Sequence, residues 1–350
     1  MRRRTQIYRG LASILALAAV ATAASVYIEF RRELAAASVR ISNSDVVETP
    51  CGPIEYAVRG TGDRTLLFVH GAGGGFDQGL NFAESITQAG YRAVFVSRFG
   101  YLRTPLPADA SAAAQADAHA CLLDALGVER ATVLSASAGA PSSLQFAIRH
   151  PERTDSLVLL VPAVFAPKPA GQPVMDAPTS TRLVFETVLQ FDFLYWAATK
   201  IAPNVLMEAL LATPVAVARS APADEQERAY RMLADILPVH RRRLGLLNDA
   251  AVTSTMGRYD LEVIKAPTLA ISVADDLFGT FEAARYTATN IPGAMFVGFE
   301  SGGHIWLGHH ADLFRELRRF LERASPEPLP SPVVIERRGG LASSPSSSPL

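Results

Sequence analysis

Charge of one sign is what this chain lacks most plainly: 33 Lys and Arg stand against 34 Asp and Glu in 350 residues, a formal net charge of -1. A nucleic-acid surface needs a basic excess, so nucleic acid is not an expected partner. Cysteine is nearly absent. Cys51 and Cys121 are too few for a disulfide framework or a four-thiolate zinc site, and they leave open one bridge or two buried thiols. Charged residues are scarce at 19%, against 49% hydrophobic, which excludes wholesale disorder and supplies a large core. No internal repeat is visible. Length alone suggests about two domains, although α/β folds often run longer as one.

One long hydrophobic run is present, at the N-terminus. After Met1-Arg2-Arg3-Arg4 and Arg9, every side chain from Gly10 to Ile28 is apolar, small or a lone hydroxyl. About nineteen such residues can just cross a bilayer. Residues 1–32 therefore read as a basic segment with a retained signal anchor, the alternatives being a signal peptide cleaved after Ala21-Thr22-Ala23 or a soluble helix. Four arginines before the span, with Glu29 and Glu33 offsetting those after it, put the N-terminus inside and the globular part outside the cytoplasm. Cleavage would instead give a secreted or periplasmic protein. At the other end, 324–350 is rich in Pro, Ser and Gly and reads as a disordered tail.

Between these ends, apolar β-rich runs alternate with helical patterns: Leu66-Leu67-Phe68-Val69, Ala93-Val94-Phe95-Val96, Thr132-Val133-Leu134, Leu157-Val158-Leu159-Leu160-Val161, Thr268-Leu269-Ala270-Ile271 and Met295-Phe296-Val297. Nearly continuous apolar strands separated by helices predict an α/β fold with a mostly parallel sheet covered on both faces. The alternation stops within 163–250, where proline-punctuated helical segments replace strands. That places a helical cap between a first core part at 45–162 and a second at 251–323.

Reactive groups in such a sheet collect at the carboxyl ends of strands. Thr132-Val133-Leu134 runs into Ser135-Ala136-Ser137-Ala138-Gly139-Ala140-Pro141 and then a helix. A serine on a strained strand-to-helix turn needs small residues two before and two after it. Ser137 meets that requirement with Ser135 and Gly139, whereas Ser135 would put Val133 in the crowded position. A serine hydroxyl needs a base. His70 is placed to shape the glycine-rich loop that follows it, His150 precedes Pro151 at a helix end, His119 and His240 sit in helical patterns, and His309 and His310 begin a helix. His304 alone lies in a glycine-bearing loop after a late strand. The acid that orients it is sought at another strand end: Asp276 is preferred to its neighbour Asp275, and the strand ending Val161-Pro162-Ala163 offers none. Oxyanion donors are then the N–H groups of Ala138 and Ala72, with Gly73 as substitute. A phosphate-cradling loop would need a Lys-Ser or Lys-Thr, which does not follow.

With these residues in the order nucleophile, acid, histidine, the chain resembles the serine-nucleophile, cap-bearing α/β hydrolases over about residues 49–322. The likeness includes His70-Gly71, Ser97-Arg98-Phe99-Gly100-Tyr101, the turn around Ser137, His150-Pro151-Glu152-Arg153, Ala266-Pro267-Thr268 and Gly303-His304. In members with a Gly-x-x-Asp acid loop the matching positions are Val273 and Asp276, which supports Asp276. Ser135 and Val273 stand where the family usually has glycine. The resemblance implies a hydrolase acting by an acyl-enzyme route on an ester or related bond, with no metal or organic cofactor. The same triad could serve carbon–carbon bond hydrolysis or cofactor-free perhydrolysis, and the rival from another class is a silent binding protein. Ser137 excludes an aspartate nucleophile.

The expected substrate is an apolar small molecule or a lipid. From the N-cap Ser180, the segment through Trp196 reads as a helix running towards Pro203, with large apolar residues on nearly every face. Such a helix is buried all round or lends a face to a ligand. Phe191, Phe193, Leu194 and Trp196 are accordingly expected to line an acyl or ring pocket, the alternative being that they only pack on the core.

Overall fold

The computed structural model describes residues 2–167, 183–185 and 187–324. The expected tail, beyond its first residue, lies outside them, as do 168–182 of the cap. The strands are β1 (Asp45–Thr49), β2 (Gly52–Arg59), β3 (Arg64–Val69), β4 (Tyr91–Val96), β5 (Ala131–Ala136), β6 (Thr154–Leu160), β7 (Thr268–Val273) and β8 (Met295–Phe299). They form one sheet in the order β1-β2-β4-β3-β5-β6-β7-β8. Helices of nine residues or more are α1 (Arg2–Arg40), α2 (Ala112–Ala125), α3 (Ala140–Arg149), α4 (Asp192–Ile201), α5 (Pro203–Leu211), α6 (Ala223–Asp235), α7 (Arg243–Thr255), α8 (Thr280–Asn290) and α9 (His310–Arg323).

The six apolar runs are β3 to β8, all paired in parallel. Every residue of β5 and β7 is buried, because helices cover both faces of the sheet. Leu122 and Leu123 of α2, Leu144 and Phe146 of α3 and Ala284 of α8 pack on one face. Leu313, Leu317 and Phe320 of α9 pack with Phe68 and Phe95 on the other. The hairpin β1–β2 was not among the expected strands; it extends the sheet antiparallel to β4. Its turn is fixed by a disulfide from Cys51 to Cys121 of α2, which decides between the two readings of the cysteine pair.

Between β6 and β7 the chain leaves the sheet for the helical insertion, described over 183–255 and built from α4 to α7. Pro203 sits in the first turn of α5, where a missing N–H costs nothing. The single helix expected from 181 to Trp196 is broken. Val188–Gln190 is a 3-10 turn, Phe191 is extended (φ -137°, ψ 132°) and α4 starts at Asp192. The break is held by tertiary contacts, since the Asp192 carboxylate accepts the His240 N–H at 3.1 Å and meets its Nδ1 at 2.6 Å.

The N-terminal helix continues past its apolar run. From Gly10 it is long and apolar enough to cross a membrane, and it is exposed as far as Glu29. Beyond that point Phe30 and Ala37 are buried in the cap's apolar cluster.

Candidate active site

β5 ends at Ala136, and Ser137 immediately adopts φ 48°. A left-handed conformation at a residue with a side chain is costly and is maintained only by its surroundings. The chain then turns through Ser137–Gly139 into α3, with Pro141 in the first turn. Gly139 is required by close approach. A Cβ there would lie 2.6 Å from the Val69 carbonyl oxygen and 2.7 Å from that of His70.

The loop after β3 faces this turn, and a Cβ on Gly71 would stand 3.2 Å from that of Ser137. His70 is fully buried. Its Nδ1 donates to the Gly71 carbonyl at 2.7 Å while Nε2 accepts the Arg98 N–H at 3.0 Å, which fixes the tautomer. Burial first, and then the Arg98 charge, hold its pKa well below the ordinary value. Gly71 N–H donates to Gln78 Oε1 (2.7 Å) and Gly73 N–H to the Tyr101 hydroxyl (3.2 Å). Of the two loop donors expected for the oxyanion, Gly73 is thus already occupied. The Ala72 N–H has no such partner among the described residues.

Asp276 follows β7, and its Oδ2 lies 2.7 Å from His304 Nδ1. The carboxylate also accepts the Phe278 N–H at 2.8 Å and the Thr280 hydroxyl. With Nδ1–H given to Asp276, Nε2 of His304 is the free nitrogen. Asp275 has a different part. Its two oxygens accept the Ser301 hydroxyl (2.8 Å) and the N–H groups of Gly302 (3.2 Å) and Gly303 (2.7 Å), so it shapes the histidine loop. Ser137, Asp276 and His304 all follow the carboxyl ends of parallel strands, and all three are buried.

The cap touches each of these loops. The carbonyl of Ala212, itself at φ 39°, accepts the N–H of Leu277 (3.0 Å) and of His304 (3.4 Å). Arg228 of α6 donates to the Ile305 carbonyl at 2.8 Å. On the nucleophile side, Asp249 of α7 accepts from both terminal guanidinium nitrogens of Arg98 (2.6 and 2.7 Å) and from the Tyr101 hydroxyl at 2.5 Å. Burial, reinforced by Asp249, pushes the Tyr101 pKa well up, which keeps its proton available. Arg242, fully buried, pairs with Asp77 (2.8 Å) and donates to the Gly74 carbonyl. Below the turn, His119 Nε2 meets Ser142 Oγ at 3.3 Å. Burial, and then the charge of Arg98, pull its pKa down to about 3.

A small cleft beside the turn is lined by Ala138, Pro141 and Ser142 below and by Asn248, Asp249 and Val252 above. No group of three or more potential metal ligands is assembled among the described residues. Of the four cap residues expected at a pocket, Phe193 meets Phe30 of α1 edge-on and Trp196 meets it tilted, at centroid distances of 5.2 and 5.6 Å, and Phe191 and Leu194 are exposed. Sequence reasoning missed Asp77, Arg242, Asp249 and Ala212 altogether. The ion-pair partners are separated by about 150 residues or more, so no local spacing announces them.

A family model described as alpha/beta hydrolase fold matches residues 64–310. A 2-hydroxy-6-oxononadienedioate/2-hydroxy-6-oxononatrienedioate hydrolase of Paraburkholderia phymatum is 28% identical over 285 residues, covering 75% of this chain and 88% of that protein. Among solved structures, an alpha/beta hydrolase fold protein from Nakamurella multipartita has a TM-score of 0.64 at 28% identity, over 80% of this chain and 99% of that one. An esterase from Exiguobacterium antarcticum has a TM-score of 0.60 at 19% identity, over 79% and 98%. The eight-stranded mostly parallel sheet, the helical insertion after β6 and the match over 64–310 agree: the chain belongs to the α/β-hydrolase family.

Proposed function

We propose that this hydrolase cleaves an ester of a small, uncharged, apolar acyl compound through a covalent intermediate on Ser137. The observation that carries the reading is the His304–Asp276 hydrogen bond of 2.7 Å, made by loops at the same carboxyl end of the parallel strands as the strained Ser137. Ser137 Oγ attacks the carbonyl carbon while His304 Nε2 takes its proton, and Asp276 stabilises the imidazolium. The oxyanion is held by the N–H groups of Ala138 and Ala72. Collapse expels the alcohol, which receives the proton from His304. Water, deprotonated by the same nitrogen, then attacks the acyl-enzyme, and the acid leaves with Ser137 restored.

A second reading is supported by the dienedioate hydrolases, whose named substrates carry two carboxylates. Against it here, the fully buried guanidinium of Arg242 and the buried one of Arg98 are neutralised by Asp77 and Asp249. Neither has its charge spare for a substrate carboxylate.

The family assignment leaves α1 to be explained. Its exposed apolar run and the arginine bias support a signal anchor with the hydrolase domain outside the cytoplasm. Retention after alkaline carbonate extraction, and protease access from the outside of spheroplasts, test this. A mature chain beginning near Ala24 overturns it.

The catalytic reading is tested with a fluorophosphonate on the full chain. Ser137→Ala should abolish labelling and lower kcat by on the order of 10⁶, while Ser135→Ala keeps the label. A label that persists after Ser137→Ala, mapped to another residue, defeats the assignment. Preference for p-nitrophenyl esters over a vinylogous diketone supports ester chemistry; the reverse supports carbon–carbon cleavage.

A further inference from the structure

Helix α4 carries apolar side chains on a face that the protein leaves open. Tyr195 and Trp196 are buried in the cap, and Phe193 lies against Phe30 of α1. On the side away from the cap core, Leu194 (38% exposed) and Ile201 (82%) are seven residues apart and share one helical stripe. Phe191, 63% exposed, precedes them. A surface of this kind marks a contact.

What it contacts follows from where α1 puts it. α1 is one unbroken helix from Arg2 to Arg40. Nineteen residues from Gly10 to Ile28 rise about 28 Å, close to the roughly 30 Å of a bilayer's hydrocarbon core. Phe30 lies two residues, about 3 Å, beyond that edge, inside the headgroup layer. The rings of Phe193 and Trp196 meet it there. One turn further along, Lys200 bonds Glu33 at 2.6 Å, so α4 is tied to α1 at two heights. Arg40 then holds the end of α1 to the cap, donating to the Asp235 and Leu237 carbonyls. Exposed Arg31 and Arg32 follow the span, at the depth of lipid phosphates.

We propose that the exposed stripe of α4, with Phe191, rests in the interfacial layer of the bilayer crossed by α1, so that the cap is a membrane-seated surface rather than a solvated lid. The occupant of this face is phospholipid. The proposal rests on the anchor reading of α1. Amphipathic helices of peripheral proteins bury their apolar face at this boundary, with cationic side chains beside it.

The test uses the full chain reconstituted in vesicles of phosphatidylcholine and phosphatidylglycerol. Cys51 and Cys121 are bridged and there is no free cysteine among the described residues, so single thiols can be introduced and labelled with an environment-sensitive fluorophore. Leu194→Cys and Ile201→Cys probe the stripe, and Ala16→Cys probes the span. Val263→Cys, exposed and before the amino end of β7, away from the strand ends that carry the cap, is the reference. Lipids carrying a nitroxide near the headgroup should quench the Leu194 and Ile201 labels at least two-fold more than the Val263 label, with a blue-shifted emission. Stripe labels quenched no more than the Val263 label, while deeper nitroxides still quench the Ala16 label, overturn the docking and leave the anchor standing. An unquenched Ala16 label defeats both. Quenching between labelled copies at Ile201 without lipid quenching gives the face to a second copy and also overturns the proposal.

Discussion

In the core, Asp276 reaches His304 across 28 residues of chain; in the cap, Asp249 reaches Arg98 across 151 and Arg242 reaches Asp77 across 165. Both regions place a buried carboxylate against a cationic or protonatable side chain. They differ in what the pair does. The core pair is formed by loops that follow neighbouring parallel strands, and it leaves one imidazole nitrogen free for chemistry. The members of each cap pair bind each other through both carboxylate oxygens and in return hold loops: Asp249 holds Tyr101, and through it the Gly73 N–H, while Arg242 holds the Gly74 carbonyl. The difference teaches that, besides local supports such as Asp275, distant parts of the chain hold the loops at the carboxyl end of the sheet. The core and cap pairs should fail differently.

The largest effect is expected in the core. Asp276→Asn keeps shape but favours the wrong imidazole tautomer, a loss on the order of 10⁴ in kcat in a comparable triad. Asp275→Asn, acting on the loop backbone, should cost far less, and the reverse ranking in kcat would exchange their roles. In the cap, Asp249→Asn should lower stability by about 3–5 kcal/mol, because it leaves Arg98 buried without its charge partner. Urea unfolding measures this, and a cost below about 1 kcal/mol would mean that the pair is not a support.

The third prediction concerns pH. His119 has a folded-state pKa of about 3, below the ordinary 6.5, so the native state binds fewer protons than the unfolded chain. Its contribution is fully present above pH 6.5 and is lost as pH falls toward 3, by about 1.4 kcal/mol per pH unit. Buried His70 acts in the same direction. His119→Gln should therefore flatten the fall of the urea midpoint between pH 6.5 and 4.5, and an unchanged slope removes His119 as a cause. The smallest effect is expected from Tyr101→Phe, which deletes the acceptor of the Gly73 N–H but keeps the Arg98–Asp249 pair. A roughly ten-fold loss in kcat with KM little changed, about 1.4 kcal/mol, would show that the cap aims the oxyanion loop. A change confined to KM would place its effect in substrate binding instead.

Several features were legible in the chain itself for a local reason. Apolar runs of three to five residues announced β3 to β8, because a strand covered on both faces must be apolar throughout. The hairpin β1–β2 escaped, since the edge strand β1 is half polar and in β2 the charged Glu55 is buried by Arg103 and Ser97. The helix expected through Trp196 failed at Phe191 because the carboxylate of Asp192 is engaged by His240, 48 residues away. Propensity cannot register such a contact.

By itself the sequence determined the parallel α/β core, the strained turn at Ser137 and the apolar span at the N-terminus. Each of these depends on side chains within a few positions of one another, where spacing and residue size decide. Tertiary structure alone decided that Cys51 and Cys121 are joined, that Gly73 gives its N–H to Tyr101, and that Phe193 and Trp196 meet Phe30. These contacts join residues 28 to 166 positions apart, so they depend on which distant surfaces meet when the chain folds, and no local spacing encodes them.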